Sequence, residues 1–179
     1  MIRLSFLTTE LLFAAIWIIA RAAVCTVRRT VDWKQEALQL LMFINLAVMI
    51  RFIYFPREYL LDLRIGLQPW NLRYNLIPFV NMCDYARVYD AFRNIAGNIA
   101  MFVPTGIILP LAYKNIDTFR KTILAGFLLS LAIELSQLLT RRVTDVDDLI
   151  LNTAGAAAGY IIYALVRRII SKKTIRRDL

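Results

Sequence analysis

The chain has 179 residues, of which 59% are hydrophobic and 20% charged, and its mean hydropathy of +0.57 lies above what an ordinary water-soluble domain shows. Its net charge of +9 would suggest nucleic acid in a soluble protein, but the basic residues fall between and after long apolar runs, where flanking charges orient membrane helices, so nucleic acid is excluded and membrane lipid is the expected partner. Histidine is absent, which removes the commonest general base and the commonest metal ligand; no metal and no cofactor is expected, and any chemistry must run on carboxylates, amides and arginine.

Five apolar runs reach the roughly 20 residues needed to cross the hydrocarbon. They predict an all-α integral membrane protein, one domain over residues 1–179, built as a compact bundle of about five transmembrane helices. The first run, residues 5–25, is apolar apart from Glu10 and Arg21. No A-x-A-like cleavage site follows it, so it reads as a retained helix and not a signal peptide. The second, residues 37–55, carries Asn45 and Arg51 and ends in aromatic residues before Pro56, like an interfacial anchor. Residues 56–93 have mixed charge and three prolines, Pro56, Pro69 and Pro78. They are too polar to cross and too apolar for a free linker, which predicts a long loop lying on the membrane surface or dipping into the bundle.

The third run, residues 94–113, contains Gly97, Pro104, Gly106 and Pro110, with a kink expected near Pro104. The fourth spans residues 119–139. The fifth, residues 149–170, places Gly155 and Gly159 four apart among alanines, a face suited to close helix packing. The tail, residues 171–179, continues a basic stretch that begins at Arg167 and Arg168, which predicts a cytoplasmic C-terminus. An odd number of crossings then puts the N-terminus outside and the two cysteines, Cys25 and Cys83, on opposite sides, with no bridge between them.

Polar residues gather at one end of this scheme. Glu134, Gln137 and Arg141 share a face of helix four at i, i+3 and i+7, with Arg142 beside them. Asp145, Asp148 and Asn152 repeat that spacing toward helix five, and helix three contributes Arg93, Asn94 and Asn98. Glu134 is the informative residue, because a charged group at a helix centre costs roughly 2.5–3.5 kcal/mol on insertion scales; it should be protonated or paired with Arg141, Arg142 or an Asn amide. Taken singly, Asn98, Gln137 and Asn152 serve as well to hydrogen-bond helices together, and Asp145, Asp147 and Asp148 alone read as an exposed acidic turn capping helix five, with Asp145 or Asp147 as the cap. Their convergence exceeds what joining five helices requires, so Asn98, Glu134, Gln137, Arg142, Asp145, Asp148 and Asn152 are taken as a ligand-binding set.

The same residues carry a resemblance. The run Asn75-Leu76-Ile77-Pro78-Phe79, then Asn98 with Phe102, Pro104 and Gly106, then Glu134 with Gln137, then Arg142, Asp145, Asp148, Asn152 and Gly155 follow in the order seen in the VanZ-like membrane proteins, and the chain resembles that family over about residues 75–159. The resemblance implies a multi-pass bacterial plasma-membrane protein that lowers susceptibility to lipoglycopeptide antibiotics such as teicoplanin. Two functional classes follow. In the first, an outward-facing polar cleft binds an amphiphile, either a lipoglycopeptide or a lipid-linked envelope component, with arginine holding phosphate or carboxylate and the amides holding sugar hydroxyls. In the second, an enzyme acts on a lipid or polyprenyl-linked substrate with Glu134 as base and Asp145 and Asp148 around a divalent cation. The missing histidine and the lack of a recognisable nucleophile favour binding.

Overall fold

The structure is a computed structural model in which residues 2–55, 60–63, 74–79, 88–138 and 144–175 are described. In chain order they form β1 (Ile2–Ser5), α1 (Phe6–Arg28), α2 (Trp33–Tyr54), β2 (Leu60–Leu63), β3 (Tyr74–Asn75), α3 (Val88–Ala112), a 3-10 turn (Lys114–Ile116), α4 (Phe119–Gln137), β4 (Thr144–Asp145) and α5 (Val146–Ile175). The helical architecture is the expected one, and four of the helices, α1, α2, α3 and α5, are long and apolar enough to cross a membrane.

Several helix ends lie outside the apolar runs, where local bonds set them. α1 opens on Ser5, whose Oγ accepts the Thr8 N–H at 3.1 Å, and it continues to Arg28 because the chain turns only at Arg29, held at φ 56° with its N–H on the Cys25 carbonyl. α2 opens four residues before its apolar run on Asp32, which accepts the N–H groups of Lys34 and Gln35 at 3.0 and 3.2 Å, the usual role of an N-cap carboxylate. α3 begins six residues earlier than hydropathy suggests, because residues 88–93 mix charged and apolar side chains without a helix breaker; its membrane window opens at Phe92. Most of the long connection, residues 56–93, lies outside the described residues.

The described chain forms two compact units. The first, residues 1–74 and 135–144, contains the α1–α2 hairpin. Phe13 stacks on Phe43 with centroids 5.0 Å apart, Trp17 leans on the same ring at 4.9 Å, and Arg21 grips Glu36 with two hydrogen bonds, Nε to Oε2 at 3.0 Å and Nη2 to Oε1. β1 pairs antiparallel with β2, Ile2 opposite Leu63 and Ser5 opposite Leu60; neither four-residue strand was foreseen. Tyr54 bonds Ser136 near the end of α4.

The second unit, residues 75–134 and 145–179, is built on backbone contact. A Cβ at Gly106 would lie 2.1 Å from the Ala156 carbonyl oxygen, one at Gly155 would lie 2.3 Å from that of Ile99, and one at Gly159 would lie 2.1 Å from that of Val103. Glycine is therefore required at each, and α3 and α5 pack main chain to main chain, as small residues allow in membrane helices. Ile99 meeting Gly155 and Val103 meeting Gly159 shows that α3 and α5 run in the same direction. α4 runs against them: Phe119 packs on Tyr160, Gly126 lies against Ala156, Ser130 bonds Asn152 and Glu134 reaches Asp145. α4 thus lies alongside the membrane-crossing length of α5. Its Arg120 and Lys121 stand in the first turn, at one end of that length, and Glu134 stands near the other.

Candidate functional site

The polar end of the second unit is organised around the start of α5. Asp145 directly precedes the helix, and its Oδ1 accepts the Asp147 N–H at 3.0 Å, which makes Asp145 the N-cap. Asp147 and Asp148 fill the first turn, where the helix dipole favours negative charge. The helix therefore starts three residues earlier than its apolar run, Asp147 and Asp148 belong to its first turn, and Asp147, expected in an exposed acidic turn, is buried.

Three other segments converge on this start. From α4, Glu134, 3% exposed, accepts the backbone N–H of Asp145 at 3.1 Å. A carboxylate so placed satisfies a helix-end amide; the expected pairing with Arg141 or Arg142 lies outside the described residues. From α3, Asn98 donates Nδ2–H to Oδ1 of Asp148. From the segment before α3, Asn75 donates to Asp145 Oδ1 at 3.1 Å, turns its own Oδ1 to the Ile77 N–H at 3.2 Å, and brings the Phe79 N–H to Asp147 Oδ1 at 2.7 Å. Phe79 takes φ 66°, a left-handed backbone that is strained for a bulky side chain and persists only where neighbours hold it; its bond to Asp147 supplies that restraint. The Asn75–Phe79 run singled out in the sequence is thus pinned to the α5 N-terminus by two aspartates.

One turn deeper, Asn152 donates Nδ2–H to Ser130 Oγ at 3.0 Å; both residues are buried, at 2% and 0% exposure. Two acceptors in this region have no hydrogen-bond partner among the described residues. Oδ2 of Asp147, a residue 3% exposed, and Oδ1 of Asn152 are buried without a hydrogen-bond partner. Unpaired buried acceptors cost about 1–3 kcal/mol each. Among the described residues no group of three or more acidic or cysteine side chains is arranged to hold a metal ion.

Of the seven residues expected to bind ligand, the structure brings together five, Asn98, Glu134, Asp145, Asp148 and Asn152, within the second unit. Gln137 is buried in the first unit. Arg142 lies outside the described residues, as does Arg141. Ser130 and Asp147 join the cluster without having been placed in the binding set. Ser130 lies one turn from Glu134 on the same face, a spacing that could have flagged it, whereas the burial of Asp147 depends on the Phe79 segment folding back.

The comparisons follow this geometry. The model of the family described as VanZ/LLP1 matches residues 11–167. Protein VanZ of Enterococcus faecium is 28% identical over 121 residues, which cover 63% of this chain and 74% of that protein. No solved structure matches.

Proposed function

The chain belongs to the VanZ/LLP1 family, and from that membership we propose that this membrane protein lowers susceptibility to lipoglycopeptide antibiotics such as teicoplanin, by binding an amphiphilic ligand at the polar end of its second unit. The ligand is a lipoglycopeptide or a lipid-linked envelope component whose acyl chain lies in the bilayer. The observation that carries the reading is the convergence of Asn75, Asn98, Glu134 and Phe79 on one acidic helix start that still holds an unmet, buried acceptor on Asp147. An acceptor-rich site selects donors, and a head group bearing hydroxyl, amide or ammonium hydrogens meets that demand.

In this reading the polar end faces outward and the N-terminus lies outside, with the C-terminus in the cytoplasm. The support is charge placement: Lys114, Arg120, Lys121, Arg167, Arg168 and Lys172 all belong to the opposite end of the second unit, where the positive-inside rule puts the cytoplasm. Binding is preferred to catalysis because the chain has no histidine and no recognisable nucleophile.

Susceptibility measurements test the proposal. Asp148→Ala removes the acceptor of Asn98 at modest structural cost, and cells carrying it should match cells lacking the protein in teicoplanin susceptibility while its membrane level stays at that of the parent. Parental susceptibility in that variant would refute the site.

A further inference from the structure

The opposite end of the second unit carries charge that neither the fold nor the proposed ligand site uses. Lys114, Arg120, Lys121, Arg167, Arg168 and Lys172 are all exposed, and none has a carboxylate partner among the described residues. Helix stability does not explain the position of Arg120 and Lys121. They occupy the first turn of α4, which holds no acidic residue, and the helix dipole disfavours cations there.

The cations form two tiers. Phe119 packs edge-on against Tyr160 with centroids 5.6 Å apart, and the Tyr160 hydroxyl donates to the Asp117 carbonyl at 3.1 Å, so the start of α4 is level with Tyr160. Arg167 lies two turns further along α5, about 10 Å by helical rise, where it donates to the Tyr163 hydroxyl at 3.2 Å. One headgroup layer of a bilayer is roughly 5–7 Å thick, so the tiers lie on either side of one such layer. Below the lower tier, Leu124 and Leu128 follow Arg120 at i+4 and i+8 on the same helix face, and both are more than half exposed, at 56% and 53%. A cation heading a leucine stripe matches the shape of a phospholipid, with phosphate above and acyl chain below.

We propose that this end of the second unit binds an anionic phospholipid, with its phosphate between Arg120 and Lys121 on one side and Arg167 and Arg168 on the other, and an acyl chain along Leu124 and Leu128. The aromatic rings of Phe119, Tyr160 and Tyr163 line the interface, where such rings favour the headgroup level. The site is independent of the acidic end and of whatever binds there.

Lipid titration of the purified full-length protein in detergent, read by native mass spectrometry, tests this. Dioleoyl phosphatidylglycerol should bind the parent and dioleoyl phosphatidylcholine should not. Arg120→Gln combined with Lys121→Gln should weaken phosphatidylglycerol binding about thirtyfold, from the contribution of two surface cations, whereas Arg28→Gln with Lys34→Gln, which removes the same charge from the first unit, should leave it unchanged. Equal losses in the two double variants, equal binding of the two lipids, or displacement of the lipid by equimolar inorganic phosphate would overturn the proposal. A photoactivatable phosphatidylglycerol added to the unmodified protein gives a readout without substitutions: adducts within residues 119–128 support the site, and adducts confined to the α1–α2 hairpin contradict it.

Discussion

The α1–α2 hairpin and the α3–α5 pair are made of similarly apolar helices, yet they are held together by different means. No residue of α1 is buried, and its contacts with α2 include stacked rings, an Arg21–Glu36 pair and a Cys25–Glu36 contact. In the bundle, α3 and α5 meet main chain to main chain at Gly106, Gly155 and Gly159. Lipid tails are as apolar as leucine, so hydrophobicity alone brings no two membrane helices together; close packing and polar pairing do. The bundle uses both, which is why it can also hold a polar cluster in fixed geometry.

The contrast is broken most directly at the glycines. Gly159→Leu forces a side chain against the Val103 backbone, and overpacking of a rigid contact costs about 1–3 kcal/mol or more; thermal unfolding in detergent should show a large loss of stability, while Gly97→Ala, where a Cβ meets nothing within 4 Å, stays near the parent. Parental stability in Gly159→Leu would remove the basis of the comparison. A smaller effect is expected in the hairpin. Arg21 and Glu36 are 18% and 21% exposed, so a double-mutant cycle with Arg21→Met and Glu36→Gln should give a coupling of about 1 kcal/mol. The smallest belongs to the outer face of α1: Leu11, 61% exposed, should tolerate Leu11→Ala within about 0.5 kcal/mol.

The sequence revealed what depends on hydropathy and on helical spacing. Five runs became five helices, and the glycine face of α5 and the alignment of Asp145, Asp148 and Asn152 followed from their spacing. Helix ends were less legible, because Ser5, Arg29, Asp32 and Asp145 set them through local bonds that hydropathy does not register. Least legible were features made by chain segments far apart. The pairing of β1 with β2 joins residues nearly 60 positions apart, and the left-handed turn at Phe79 makes sense only beside Asp147. Glu134 reads from the sequence as buried and in need of a partner, and its bond to the Asp145 backbone amide at the head of the next helix required knowing where that helix begins.

The proposal that the Asn75–Phe79 segment faces outward, beside the proposed amphiphile site, is open to one measurement. Ile77 is 64% exposed, and Ile77→Cys on a background of Cys25→Ser and Cys83→Ser can be labelled in intact cells with a membrane-impermeant maleimide, with and without teicoplanin. Labelling from outside that slows when the antibiotic is present is the expected result. Labelling that needs permeabilised cells, or that proceeds at the same rate with and without teicoplanin, would contradict it.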